Sequence, residues 1–294
     1  MRGERGMAVV MALLLVALAA SAASLVLWQQ NLWWQQVEAD RQRAQMHLLL
    51  DAQLAWARLR LHPVAPVVAA NQPWARPWDG QDGDYRWRAT LTDLQSRLNL
   101  NALATPQGVI NGEAFDSYRR LLAALQLPEA LADSLAQWCG LRRADATETA
   151  PRPARAVRDW RMLAEVPGYT LAVRRVLAPY VTLLPGELNL VNLNTASPLL
   201  LSALVPKAAP GAVSQVVQGR ARLPFRDAAD FINRLGMAGG EVPKILGVGS
   251  SAFWLQGSVR HRAAERRIDA ILKVEAGRVR LLSRPDPGAL PPLS

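Results

Sequence analysis

The first 37 residues, MRGERGMAVVMALLLVALAASAASLVLWQQNLWWQQV, constrain this chain more than any other stretch. Arg2 and Arg5 precede Gly6, an apolar run extends from Met7 to Leu27, and no charge follows until Glu38. As helix this run is about 32 Å long, the thickness of a bilayer's hydrocarbon core. Basic residues ahead of the span predict a cytoplasmic N-terminus, with the remainder carried across the membrane. No proline interrupts the pattern before Pro63, so one helix of up to about 80 Å is permitted. Trp28, Trp33 and Trp34 fall where the span leaves the bilayer, as an aromatic belt does. A secretory signal peptide competes with this reading, with Ala20-Ser21-Ala22 as its cleavage site. Against it, the apolar stretch runs on through Leu25, Val26 and Leu27. The Arg-Gly pair directly before the run also serves no purpose in a signal peptide.

Beyond that helix, the 294 residues leave room for one large or two small domains. The net charge of +10 would suit nucleic acid or an anionic surface. The arginines are scattered, however, and many alternate with apolar residues on expected strands, so solvated faces account for most of them. The single cysteine, Cys139, excludes an intrachain disulfide. Beside Trp138 it reads as a buried small residue and not a reactive thiol.

The pattern along the chain is long helix, strand, helices, strands. HPVAPVVAANQPWARPWDGQDGD is expected to be a loop. In YRWRATLTDLQ, Tyr85, Trp87, Ala89 and Leu91 alternate with polar residues, which predicts a half-buried strand. From about Leu98 to Leu246 the apolar spacing is helical, broken by Pro and Gly, with Asp227 placed to cap one helix. SAFWLQGSVRHR, ERRIDAILKVE and RVRLLSR return to period two, with Glu275-Ala276-Gly277 as the last turn. The early strand has no local partner in this reading. An isolated strand is unstable, so it should join the late strands in an antiparallel sheet packed on helix one. The expected fold class is therefore α+β. Its segments are 1–6 as leader, 7–28 as membrane half-helix, and 29–97 plus 248–284 as the sheet domain. Residues 98–247 form a helical insertion and 285–294 a disordered tail.

Motifs for chemistry are weak. Asp79, Asp82 and Asp84 do not match an EF-hand register and read as a solvated turn. His47, His62 and His261 lack the spacing of metal ligands. No serine sits in a nucleophile elbow, and there is no phosphate loop. The segment from NLNTASPLLLSAL to DAADFINRLG has a helix-hairpin-helix cadence. Its hairpin, VPKAAPGA, has two prolines, which offer no N–H to a phosphate. A helical, SAM-like protein-docking block fits better than a nucleic-acid binder. Asn192, Asn194 and Thr195 should satisfy backbone groups at a helix start, with Thr195 or Ser197 near the cap. No catalytic residue, metal or cofactor is expected.

RGMAVVMALLLVALAA resembles the leader-and-span motif cut by prepilin peptidases, as in type IV pilin-like subunits. TLTDLQSRLNLNAL, FDSYRRLLAALQL, RDWRMLAEVPGYT, APYVTLLP, LNLVNLNTASPLLLSAL and SAFWLQGSV follow in the order seen in general secretion pathway protein K. That family is the large minor pseudopilin of type II secretion systems. The resemblance implies a pilin-like fold and cleavage between Gly6 and Met7, leaving an N-methylated Met7. Pilin-like subunits usually carry Glu at mature position five, whereas this family typically lacks it; here the position is Met11. A buried carboxylate needs a charged partner, and a subunit at the tip has none above it. Members commonly show an Asp-Trp-hydrophobic-Asp stretch, linked in some with calcium. Here it reads Gln137-Trp138-Cys139-Gly140, then Arg142 and Arg143, with Asp145 and Glu148 the remaining acids nearby. Calcium needs six to eight oxygens, several from carboxylates, so no calcium site is expected in this loop.

The resemblance implies an inner-membrane, single-pass subunit with its bulk in the periplasm. It would cap the pseudopilus tip with I- and J-type minor pseudopilins, start fibre assembly and support export of folded proteins. Two alternatives stay open: a periplasmic helix-hairpin-helix protein of DNA uptake, and a minor pilin of a true type IV pilus.

Overall fold

The apolar N-terminal run and the amphipathic stretch after it form one helix, α1 (Gly3–Leu61), because neither proline nor glycine interrupts either half after Gly6. The computed structural model describes residues 3–62, 66–143, 154–237, 239–286 and 289–291. It divides into two units, Met1–Asp51 and Ala52–Ser294. All described structure in the first unit is α1, and the last turns of α1 open the second.

The second unit is built on a five-stranded antiparallel sheet ordered β1-β2-β7-β8-β9. Its strands are β1 (Trp78–Asp82), β2 (Tyr85–Asp93), β7 (Ala252–His261), β8 (Ala264–Glu275) and β9 (Arg278–Ser283). Leu91 lies opposite Leu255, which in turn lies opposite Ala270, so alternate residues put one apolar row on one face. Gln53, Leu54, Ala57 and Leu61 of α1 are buried, and the Gln53 amide donates to the Ser258 carbonyl at 3.1 Å. A Cβ at Gly257 would stand 2.0 Å from Gln53 Oε1 and 2.7 Å from Ile268 Cγ2. Only glycine lets helix and sheet approach this closely.

Between β2 and β7 runs the insertion, expected to be all helix, whose described residues combine short helices with four two-residue strands and connecting loops. Its order is β3 (Leu98–Asn99), α2 (Gly112–Ala124), α3 (Ala130–Trp138), α4 (Leu171–Leu177) and β4 (Val181–Thr182), then β5 (Val191–Asn192), α5 (Pro198–Leu204), α6 (Ala212–Gly219), α7 (Ala228–Arg234) and β6 (Leu246–Gly247). The two-residue strands pair in parallel, β3 with β4 and β5 with β6. Tyr118, Leu121, Leu163, Leu200, Phe225 and Phe231 belong to one continuous core. Inside it the Tyr169 hydroxyl donates to the Leu131 carbonyl at 3.0 Å and accepts from Tyr118 at 2.6 Å. Asp227 caps α7 by accepting from the Asp230 amide at 2.7 Å, and Ser197 caps α5 by accepting from Leu200.

Three details differ from the sequence reading. The segment expected to be loop up to Asp84 contains β1, so β2 does have a local partner, joined through a turn at Gly83 with φ +57°. WDGQD shows no apolar alternation because an edge strand needs only one row of backbone partners. Residues 98–103 are a short strand and a 3-10 turn; the first α-helix after them begins at Gly112. Part of the tail expected to be disordered is packed. The Ala289 carbonyl accepts from the Trp160 amide at 2.8 Å, and Leu290 joins Leu94, Leu184, Trp254 and Ile271 in a small cluster. That cluster covers the second face of the sheet, an apolar area that would otherwise be wet.

Candidate functional site

In the first unit the helix backbone is continuous through Gly6 and Met7. Met11 is 65% exposed, and Leu13 to Leu18 and Leu25 to Trp28 show apolar side chains on every side of the helix. A helix apolar all round and uncovered fits a membrane anchor. Its polar atoms conform to that. Ser21 and Ser24 donate to the Ala17 and Ala20 carbonyls, both at 2.8 Å, which leaves no hydroxyl donor free in hydrocarbon. The Trp33 and Trp34 rings meet edge to face at 5.6 Å. Beyond them the surface turns polar, with Gln42 bonded to Glu38 and Arg43 to Asp40. Among the described residues this is the one helix long and apolar enough to cross a membrane.

The part of α1 in the second unit is two-faced. Opposite the buried Gln53, Leu54 and Ala57 stand Trp56 and Leu59, 56% and 65% exposed. A tryptophan and a leucine three residues apart on a solvent-facing helix stripe make a surface suited to another helix.

A second constellation was not recognisable from the sequence. At the end of β2, Asp93 is buried and its carboxylate collects four donors. They are the Gln95 amide at 2.8 Å, Asn192 Nδ2 at 2.9 Å, Thr195 Oγ1 at 2.5 Å and Ser250 Oγ at 2.6 Å. Asn192 also donates to the Val68 carbonyl at 3.0 Å. Gln95 accepts from the Ser251 amide at 2.7 Å and donates to the Leu190 carbonyl. The chain thus enters the insertion at Asp93 and leaves it at Ser250 through one polar knot. Burial pushes the Asp93 carboxyl above its ordinary value of 3.8, although its hydrogen bonds pull the other way. Nearby, Arg97 is lowered to about 10 by burial.

The asparagines do satisfy backbone groups, locally where Asn192 Oδ1 accepts from the Asn194 amide at 3.0 Å and also at long range. Asn194 bonds both the amide and the carbonyl of Phe225, at 2.8 and 3.0 Å. Ser197 is the helix cap, whereas Thr195 serves Asp93. His261 stacks on Tyr85 at 4.3 Å, a packing role. Asp79 and Asp82 lie on β1, and Asp84 meets Arg262 at 3.9 Å. Cys139 is buried and its thiol is pushed up to about 11, which makes it inert.

Among the described residues, the stretch linked with calcium in the family gathers no group of three acidic side chains. The Arg155 guanidinium lies 3.8 Å over the Trp138 ring, and Arg143 pairs with Asp133 at 3.7 Å. Asp145 and Glu148 lie outside the described residues.

The family model described as "Type II secretion system (T2SS), protein K" matches residues 191–249, and a second, for the first part of the same protein, matches residues 96–186. This chain belongs to the protein K family. Protein K is a minor pseudopilin, a structural component of type II secretion, and its apolar N-terminal helix fits a membrane anchor. The type II secretion system protein K of Klebsiella pneumoniae is 29% identical over 269 residues, covering 79% of each chain. That of Aeromonas hydrophila is 27% identical over 222 residues, covering 64% of this chain and 66% of its own. One chain in the crystal structure of the GspK-GspI-GspJ complex from enterotoxigenic Escherichia coli superposes with a TM-score of 0.69. It is 22% identical, and the match covers 85% of this chain and 98% of that one. The protein K fold is thus a pilin-like sheet with its long helix and a large insertion.

Proposed function

We propose that this protein K caps the tip of a short periplasmic pseudopilus, starts its assembly and supports export of folded proteins across the outer membrane. The observation that carries the reading is the large insertion, residues 94–251 between β2 and β7, on a sheet domain whose helix otherwise suits fibre packing. Such a bulk leaves no room for a subunit stacked above it. Met11 agrees with this position, because an apolar residue needs no charged neighbour overhead.

Prepilin peptidase cuts between Gly6 and Met7 and methylates the new N-terminus. Before assembly the apolar half of α1 anchors the subunit in the inner membrane, N-terminus inside and bulk outside. On extraction that surface, with the Trp56–Leu59 stripe, packs on helices of I- and J-type minor pseudopilins, the partners named in the solved relative's complex. The work is mechanical and calls for no catalytic group.

Intact mass and N-terminal sequencing of the protein from its native membrane test the processing. A mature chain beginning at N-methylated Met7 is expected. A chain beginning after Ala22 or Ala23 would make the N-terminus a signal peptide and remove the tip reading.

A further inference from the structure

The helical insertion holds a cleft of about 320 Å³ between α2, the segment after α5 and the loop before β6. Leu204, Val205, Met237 and Pro243 supply apolar wall. Arg120 of α2 also lines it, half-buried and fixed from behind. Its Nε donates to the Ala203 carbonyl at 2.7 Å, and one Nη2 hydrogen goes to Ser117 Oγ at 3.0 Å. These bonds explain part of the residue: it closes the C-terminal end of α5, where a cation is favourable. They do not explain the rest. A guanidinium has five N–H groups, and among the described residues no carboxylate lies in ion-pair range of Arg120. The half-buried guanidinium therefore keeps N–H groups that a further acceptor in the cleft can take.

Lys207 and Lys244 border the same cleft, and Glu113 and Glu241 complete its polar lining. The glutamates make no ion pair with any of these three cations among the described residues, and Glu113 is already used by the Ile245 amide at 3.3 Å. The balance is one net positive charge in an apolar-walled cleft. Two acidic side chains nearby disfavour a dianion such as phosphate. A planar guanidinium held from behind suits a carboxylate.

We infer that this cleft binds an aliphatic monocarboxylate, with Arg120 on the carboxylate and the apolar body against Leu204, Val205 and Met237. A polypeptide C-terminus ending in an aliphatic residue and a free fatty acid share this chemistry. The inference is independent of the tip reading, since it rests on the insertion alone.

The test is saturation-transfer NMR and calorimetry on the full chain in phosphatidylcholine nanodiscs. The probes are acetyl-Leu-Val-Leu as free acid, the same peptide as C-terminal amide, and hexanoate. The free acid should bind at least about tenfold more tightly than the amide, the effect expected for hydrogen bonds to a charged group. Arg120→Gln should remove about the same factor. Because that variant also loses the bond to Ala203, the surface double variant Lys207→Gln/Lys244→Gln provides a check that leaves the core intact. It should weaken binding several-fold, and Glu241→Gln should strengthen it. Tighter binding of the peptide acid than of hexanoate identifies a chain end, and the reverse identifies a fatty acid; either supports the site. Equal binding of acid and amide, no binding of any probe, or indifference to all three variants overturns it.

Discussion

Asp93 carries the sharpest residue-level consequence. Its carboxylate holds the Gln95 amide, Asn192, Thr195 and Ser250 together. Asp93→Ala would strand several buried donors, each costing about 1–3 kcal/mol. A loss of about 2–4 kcal/mol in urea unfolding is therefore expected, and a loss below 1 kcal/mol would mean that water replaces the carboxylate easily. The pH dependence has a definite sign. Because the folded-state pKa is raised above 3.8, the fold favours the protonated acid. That contribution is fully present below 3.8 and is lost as pH rises through the raised folded value. Relative to the neutral Asp93→Asn variant, the native chain should therefore lose stability as pH climbs from 3.8 upward. A relative gain over that range would show that the hydrogen bonds outweigh burial.

At the scale of elements, the decisive contact is α1 on the sheet. Gly257 admits Gln53 and Ile268 at distances that a Cβ would forbid. Gly257→Ala should cost about 1–3 kcal/mol by overpacking, read as a lower melting temperature with unchanged helix content. A neutral result would show that the Gln53 side chain swings aside at no cost. The Ser197 cap of α5 is a milder case: Ser197→Ala should cost about 1 kcal/mol, without disturbing the Asp93 knot, which does not include it. The strands β2, β7, β8 and β9 were all legible, since each carries an apolar row at period two or a glycine-bearing turn. β1 was not, because WDGQD at a sheet edge has one paired side and little buried surface.

The chain carries both an apolar N-terminal helix that fits a membrane anchor and a bulky sheet-and-insertion domain, and the tip reading belongs to this scale. On the proposed tip role, Met11→Glu should impair secretion of folded substrates and lower recovery of this subunit with the proposed I- and J-type partners. A buried glutamate at a position without a charged neighbour costs several kcal/mol. Normal secretion by that variant would count against capping. The tail is likewise decided at this scale. PDPGALPPLS reads as disordered by composition, yet Leu290 is drawn into the cluster with Leu184, Trp254 and Ile271. Only a folded partner surface makes burying it favourable.

What the residues determined by themselves is what depends on local order: the apolar span and its basic flank, the alternating strands, the Asp227 cap and the family landmarks. These are properties of periodicity and composition within a few turns, so they need no tertiary partner to be read. Only the folded chain decided that Asp93, Asn192, Thr195 and Ser250 meet, although up to 157 positions separate them in sequence. The same holds for Gly257 admitting a helix and for Arg120 lining a cleft with no ion-pair partner among the described residues. Each is a relation between surfaces brought together by burial, and a linear pattern holds no record of which distant groups will share a desolvated site.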